Sequence, residues 1–334
     1  MTESRDTVLI IGSGMMGAGI AAKSAAAGRR TVLADTALDY AQRGVETAKE
    51  KLAYLREKEL LSDGDLKRGE GLLEATADYR AERERTFLVI EAVTEDLNLK
   101  RKIFAGLDLV FPEDIPIASN TSGLRITDIA RDMKHPRRAI TTHFWFPAHL
   151  VPLVEVVIGD QTLPALAKQV KEELLLWGKA PVIVKKDLPG QLANRILQAV
   201  IREAVNIVEM DLASAEDVDT AVKMGMGIRF PVWGPLEHVD AVGLDLCKNV
   251  QDTVLPAISR STAASPRFEK LIGEDCVGVK TGRGFYDWQV KDHERLRTLR
   301  DDFIVEAVRF LKKEAAPSVP TENSSEPDCK SEEG

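Results

Sequence analysis

The sequence predicts an α/β chain: a doubly wound, largely parallel sheet, then an all-α domain. Three observations carry this expectation. Short apolar runs alternate with helical patterns as far as Lys186, the strand pattern stops at Asp187-Leu188-Pro189-Gly190, and helical periodicity dominates from Leu192 onward. The expected organisation is a sheet domain over 1–186, a helical domain over 187–312 and a disordered tail over 313–334, rich in Pro, Ser and Glu.

Each element has its own signal. TVLII, residues 7–11, is a continuous apolar run of strand length, as a strand buried on both faces requires. The Ala-rich stretch 18–27 is a strong helix former closed by Gly28. TVLAD follows as a second strand ending at Asp35. Residues 38–60 set Val45, Leu52 and Leu55 at helical spacing, SDGDL turns the chain, and a second helix runs through Leu73. This predicts an αα-hairpin over about 38–73. TFLVIEAV is a further buried strand, 95–109 an amphipathic helix, and IPIAS a strand ending in Asn120-Thr121-Ser122-Gly123. AITTHFWF, LVEVVI and APVIVKK complete the sheet, with a helix over 163–177 before the last of them. Another helix over 192–210 opens the second domain.

Bulk properties narrow the function. With 334 residues and 44% hydrophobic content, the chain can bury a proper core in two domains. A net charge of −8 argues against nucleic acid or an anionic membrane surface as partner. Cys247, Cys276 and Cys329 form no CxxC pair and leave an odd count, which speaks against a disulfide framework or zinc site and for a reducing compartment. No metal is expected, since His143 and His149 lack further ligands at suitable spacing. The first residues run straight into an apolar strand, without a basic leader, and no apolar run is long enough to span a bilayer, so the expectation is cytoplasmic.

Between the first strand and first helix stands GxGxxG: Gly12 for a tight turn, Gly14 for backbone approach to a pyrophosphate, Gly17 for close helix–strand packing. Phosphates would meet the helix N-terminus. The pattern alone is weak, but Asp35 ends the second strand about 20 residues on, placed to accept hydrogen bonds from ribose hydroxyls. A carboxylate there repels a 2′-phosphate, predicting NAD over NADP on a Rossmann-type domain; Arg29 and Arg30 weaken that preference only a little.

The chain resembles the 3-hydroxyacyl-CoA dehydrogenase family through six stations in order: IIGSGMMGAGIA, IEAVTEDLNLKRKIF, SNTSGL, HFWFPAHLVPLVEVV, VKKDLPGQLANRIL and GVKTGRGFYDW. The likeness extends to about Trp288. It implies cofactor contacts at Met16 in the glycine loop, Ala92 and Val93 after the fourth strand, Glu95 and Lys100 beyond, and Asn120 beside the nicotinamide ribose. On their own, Glu95 and Lys100 read as a solvated helix face.

The resemblance also makes His143 the general acid/base and Glu155, twelve residues later, the carboxylate that orients it. Chemistry asks for such a pair: a proton must leave the alcohol oxygen as hydride leaves its carbon, and imidazole can take it near neutral pH. Ser122 resembles the group that holds the substrate hydroxyl, and Asn194 a donor from the helical domain. Taken alone, His143 reads as a core histidine, Ser122 as a helix cap and Asn194 as a backbone partner.

The implied reaction is reversible oxidation of an L-3-hydroxyacyl-CoA, with the helical domain forming a homodimer. Arg56, Lys58, Lys67 and Arg68 on the hairpin could pair with CoA phosphates, or simply face solvent. Relatives on the same scaffold act on small free acids (a sugar acid, carnitine, a pyridine carboxylate), and a crystallin-like non-catalytic scaffold is a further alternative. Two departures bear on the pocket: Phe146 stands where the family has Asn, after Trp145, and Gln191 where an aromatic follows Pro-Gly.

Overall fold

The structure, a computed structural model, describes residues 5–314; of the tail predicted over 313–334, residues 313 and 314 close the last helix instead, and 315–334 lie outside the described residues. Eight strands form one sheet in the order β3-β2-β1-β4-β5-β6-β7-β8. They are β1 (Thr7–Ile11), β2 (Arg30–Ala34), β3 (Leu73–Thr76), β4 (Thr86–Glu91), β5 (Ile117–Ser119), β6 (Ala139–Phe144), β7 (Leu153–Val157) and β8 (Ala180–Val184). Every neighbouring pair is parallel except β6 and β7. Strand order reverses between β1 and β4, which opens a crevice at the carboxyl ends of the strands, the usual ligand position in such sheets.

β1 explains the two-sided core. Val8 and Ile10 belong to one apolar cluster and Leu9 and Ile11 to the other, the period-2 alternation of a strand covered on both faces. On the first face lie α1 (Met15–Ala26), α2 (Leu38–Glu57) and α6 (Pro164–Leu176). The opposite face carries α4 (Leu97–Val110), through Phe104 and Leu107, and the short α5 (Ile126–Ile129). Small residues let α1 press on the sheet, with Gly17, Ala18, Ala21, Ala22 and Ala25 buried. Gly28, at φ 83°, ends that helix in the left-handed conformation.

The predicted hairpin is present as α2 and α3 (Asp63–Gly71), with Ser62 capping α3 through Asp65 N. The chain then enters β3, an edge strand the sequence did not announce. LEAT buries only Leu73 fully, so it carries no alternation to read.

Beyond β8 come α7 (Ala193–Glu209), α8 (Ala215–Ala221), a π-helical turn (Val222–Gly227), α9 (Pro235–Val242), α10 (Leu244–Val254), α11 (Pro266–Gly273) and α12 (His293–Glu314). From 193 to 292 only Val205 and Val218 are buried, so these helices do not close a core of their own. The last helix behaves differently. α12 returns to the first domain, where Val305 packs with Leu55 of the hairpin and Leu150.

Candidate active site

The glycine loop is built as its spacing demands. Gly12 sits at φ 99°, and a Cβ there would lie 2.8 Å from the Ala92 carbonyl oxygen. A Cβ at Gly17 would fall 2.0 Å from the Gly12 oxygen, whereas one at Gly14 would meet nothing within 4 Å. The middle glycine thus keeps backbone open at the start of α1, where a pyrophosphate would rest. Met16, half-buried, packs against the core behind this loop.

Beside the loop lies a cavity of 520 Å³ lined by Ser13, Gly14, Asp35, Tyr40 and Arg43, among others. Asp35 Oδ2 accepts hydrogen bonds from Ser13 N (2.9 Å) and Ser13 Oγ (2.5 Å), and Oδ1 from Thr36 N (2.7 Å). Burial pushes its carboxyl up, but these donors outweigh that and hold it below the usual range, keeping the carboxylate charged. Arg29 and Arg30 lie at the other end of β2, paired with Glu173 and with Glu74 and Glu82. Sequence reasoning missed Arg43 and Gly44. Arg43 stacks over Tyr40 at 4.7 Å and pairs with Asp39, while a Cβ at Gly44 would stand 2.5 Å from Ser13 Cβ. The signal was the helical phase of α2, which turns 40, 44 and 47 toward the loop.

Lys100 is turned inward, and Glu95, though exposed, leans over it. Lys100 is 1% exposed; its ammonium donates to Glu91 Oε1 at 2.7 Å and lies 3.4 Å from Glu95 Oε2. Glu91 Oε1 also accepts Val93 N, and Oε2 accepts Ser119 Oγ, each at 2.7 Å. Glu95 Oε1 takes Thr121 Oγ1 (2.5 Å), Ser122 N (3.0 Å) and Gly123 N (3.1 Å). Burial raises the Glu95 carboxyl, but Thr121, Lys100 and Gly123 bring it below its ordinary value. The pair therefore fastens the loop after β5, where Asn120 Oδ1 accepts Phe144 N at 2.9 Å and ties that loop to β6.

The one antiparallel pair of the sheet positions the acid/base candidates. Register sets His143 directly opposite Glu155, so both side chains project from the same face. His143 Nδ1 lies 2.8 Å from Glu155 Oε2, and the two residues are 6% and 0% exposed. With Nδ1 donating to a carboxylate, Nε2 is the nitrogen left to accept a proton. Trp145 Nε1 also donates to Oε2, at 3.0 Å, while Oε1 accepts Leu192 N and Ala193 N, both at 2.8 Å. Burial raises the Glu155 carboxyl, yet His143, Trp145 and the two amides more than offset it, and the group falls to about 2.

Those two amides belong to the entry of α7, so Glu155 joins the sheet to the helical domain. The other two candidates meet nearby: Asn194 Nδ2 donates to the Ser122 carbonyl at 3.3 Å. Gln191, at φ 52°, donates Nε2 to the Thr121 carbonyl at 2.9 Å, closing the same seam. The four predicted catalytic residues thus lie around one seam, where the β6–β7 pair, the loop after β5 and the start of α7 meet, with Ser122 joined to it through its carbonyl. Among the described residues, no three His, Cys, Asp or Glu side chains gather as a metal site.

A dinucleotide crevice with an imidazole–carboxylate pair at its edge defines the class: an NAD-dependent oxidoreductase acting on a CH–OH group. The chain belongs to the 3-hydroxyacyl-CoA dehydrogenase family, matching its NAD-binding domain over residues 7–188 and its C-terminal domain over 190–288. Human mitochondrial hydroxyacyl-coenzyme A dehydrogenase is 36% identical over 289 residues, 84% of this chain and 91% of its own length. The 5-formyl-3-hydroxy-2-methylpyridine 4-carboxylate 5-dehydrogenase of Mesorhizobium japonicum is 31% identical over 306 residues, 91% of this chain and 98% of its own length. A crystal structure of a 5-dehydrogenase of that pyridine carboxylic acid, described as an NAD+-dependent dismutase, superposes with TM-score 0.84 at 30% identity, covering 92% of this chain and 98% of its own. α12 begins after both family domains end.

Proposed function

We propose that the protein oxidises a hydroxyl-bearing carbon of a small free carboxylic acid. The observation that carries this is the seat of α12 on the hairpin. Lys58, expected to offer its charge to a CoA phosphate, donates to Asp302 of α12 at 2.9 Å, and Arg309 donates to the Lys58 carbonyl. The resemblance in fold to the pyridine carboxylate dehydrogenase supports the same choice. A second reading, reversible oxidation of an L-3-hydroxyacyl-CoA, is favoured by the surface position of Arg56, Lys67 and Arg68; the pairs of Arg56 with Asp63 and of Arg68 with Asp65 would yield readily to a phosphate.

In either reading the chain's own groups do the same work. NAD, when bound, supplies the hydride acceptor. Gly12, Gly14, Met16 and Gly17 shape its phosphate loop, and Asp35 takes the adenosine ribose. Ala92 and Val93 wall the crevice, while Glu95, Lys100 and Asn120 fix the loop beside the nicotinamide. Ser122 and Asn194 hold the substrate oxygen, His143 Nε2 takes its proton, and Glu155 keeps the tautomer and stabilises the imidazolium.

We also infer a homodimer, supported by a 920 Å³ apolar cavity along α7 and α8, lined by Ile196, Val200, Ile207, Leu212 and Val218 among others. Free Cys247 and Cys276 suit the cytoplasm. No helix among the described residues is long and apolar enough to cross a membrane.

The test is a substrate panel followed by NADH absorbance: gulonate, carnitine, 3-hydroxybutyrate and the pyridine carboxylate, whose 5-formyl group offers a CH–OH carbon as its hydrate, against 3-hydroxybutyryl-CoA and, in reverse, acetoacetyl-CoA. Free acids should be turned over with the higher kcat/KM. Preference for the thioesters would overturn the small-acid reading and leave the acid/base pair standing.

A further inference from the structure

Phe146, on the chain just beyond His143 and Trp145, carries a cation on its face. It is 46% exposed, and the Arg300 guanidinium of α12 lies 5.2 Å from its ring centroid. The Trp145 and His143 ring centroids are 5.8 Å apart, and Phe146 follows Trp145 directly in the chain, three residues beyond the imidazole. We propose that Arg300 is the anchor for the substrate's carboxylate, and that α12 is the element that selects a small free acid. This rests on the small-acid reading above and extends it to a named residue.

Three features fit. First, a guanidinium stacked on an aromatic face keeps its charge and loses little freedom when it forms a forked pair with a carboxylate. Second, Arg300 is already oriented: Asp301 Oδ1 accepts both Nε (2.9 Å) and one terminal nitrogen (2.7 Å) on a single oxygen. The other terminal nitrogen, NH1, makes no hydrogen bond among the described residues, and this is the edge offered to a ligand. Third, α12 is held at both ends of its contact with the hairpin. Val305 is 2% exposed against Leu55 and Leu150, and Lys58 meets Asp302, so Arg300, less than two turns before Val305, is fixed in place rather than displayed on a loose tail.

The same contact accounts for selection against a long thioester. α12 lies on the hairpin and reaches Phe146, three residues beyond His143, so one helix covers a hairpin cation and sets another beside the segment that carries the imidazole. A compact acid needs only the second.

The experiment compares wild type, Arg300→Gln and Arg300→Lys on whichever free acid of the panel the enzyme turns over, alongside the primary amide of that acid. Arg300→Gln should raise KM for the acid 10- to 100-fold with kcat within about twofold, Arg300→Lys should recover part of the loss, and NADH affinity should not change. The amide should bind poorly to wild type and be indifferent to the substitution. An unchanged KM for the acid in Arg300→Gln, with an unchanged Tm, would refute the anchor while the small-acid reading stands. An enzyme that turns over thioesters but none of the acids would overturn that reading and the anchor with it.

Discussion

Glu155 carries more hydrogen bonds than any other side chain at the seam, and its two oxygens divide them between the aromatic strand end and the start of α7. Its Oε2 orients His143 and receives Trp145; its Oε1 holds the first amides of α7. Glu155→Gln would set an amide NH2 against groups that are themselves donors, either at the imidazole or at the backbone. The imidazole would then present a protonated Nε2, the wrong tautomer for a base. We expect kcat to fall 10²- to 10⁴-fold, and stability to drop by about 1–3 kcal/mol through the unsatisfied donors. Acid should separate the two effects. The carboxyl, ordinarily near 4.5, is held at about 2 in the fold, so the unfolded chain takes up the proton first. Its contribution to stability is complete above pH 4.5 and lost as pH falls toward 2; denaturation followed across that window should be steeper for wild type than for Glu155→Gln. Equal slopes would mean that the carboxylate is not held in this way.

At the scale of the element, legibility followed how strictly local physics constrained each stretch. The turn from β1 into α1 could be read outright, because a sharp turn, a close approach to Ala92 and a helix pressed on a sheet each exclude a side chain. His143 and Glu155 were legible as a pair only through resemblance; what joins them is an antiparallel register that twelve intervening residues do not reveal. The inward turn of Lys100 was hidden for a related reason, since nothing in the spacing of a strand read as buried shows that the carboxylate closing it, Glu91, faces the helix that follows. α12 was read as part of a helical domain, for its spacing shows a helix but not where it docks. The glycine loop offers a clean test. Gly14→Ala should leave Tm within about 2 °C but weaken NADH binding at least tenfold, because its Cβ meets no protein atom yet enters the phosphate path. Gly17→Ala should lower both Tm and NADH affinity, since its Cβ would collide with the Gly12 carbonyl. Fluorescence titration and thermal melts distinguish the two, and a Gly14→Ala protein with wild-type NADH affinity would displace the phosphate from this loop.

At the scale of the whole molecule, apolar surface is unevenly spent. Both faces of the sheet are sealed, whereas the helices from α7 to α11 leave Ile196, Leu212, Leu236 and Leu244 between 55% and 79% exposed. A helical layer with two buried residues across a hundred positions leaves its apolar side chains without a core of their own, the exposure expected of an interface. The homodimer proposed above would supply one, by the self-complementary contact of a twofold axis. Leu212→Asp discriminates. In a monomer, a residue 70% exposed tolerates a charge, and stability should move by no more than about 0.5 kcal/mol. In a dimer the same carboxylate is buried against the partner, so Tm should fall by several degrees and sedimentation should show the variant as a monomer where wild type is a dimer. Wild-type Tm should also rise with protein concentration, as it must when folding and association are coupled. A wild-type monomer at micromolar concentration, with Tm unaffected by Leu212→Asp, would require the exposed face to be covered by some other means.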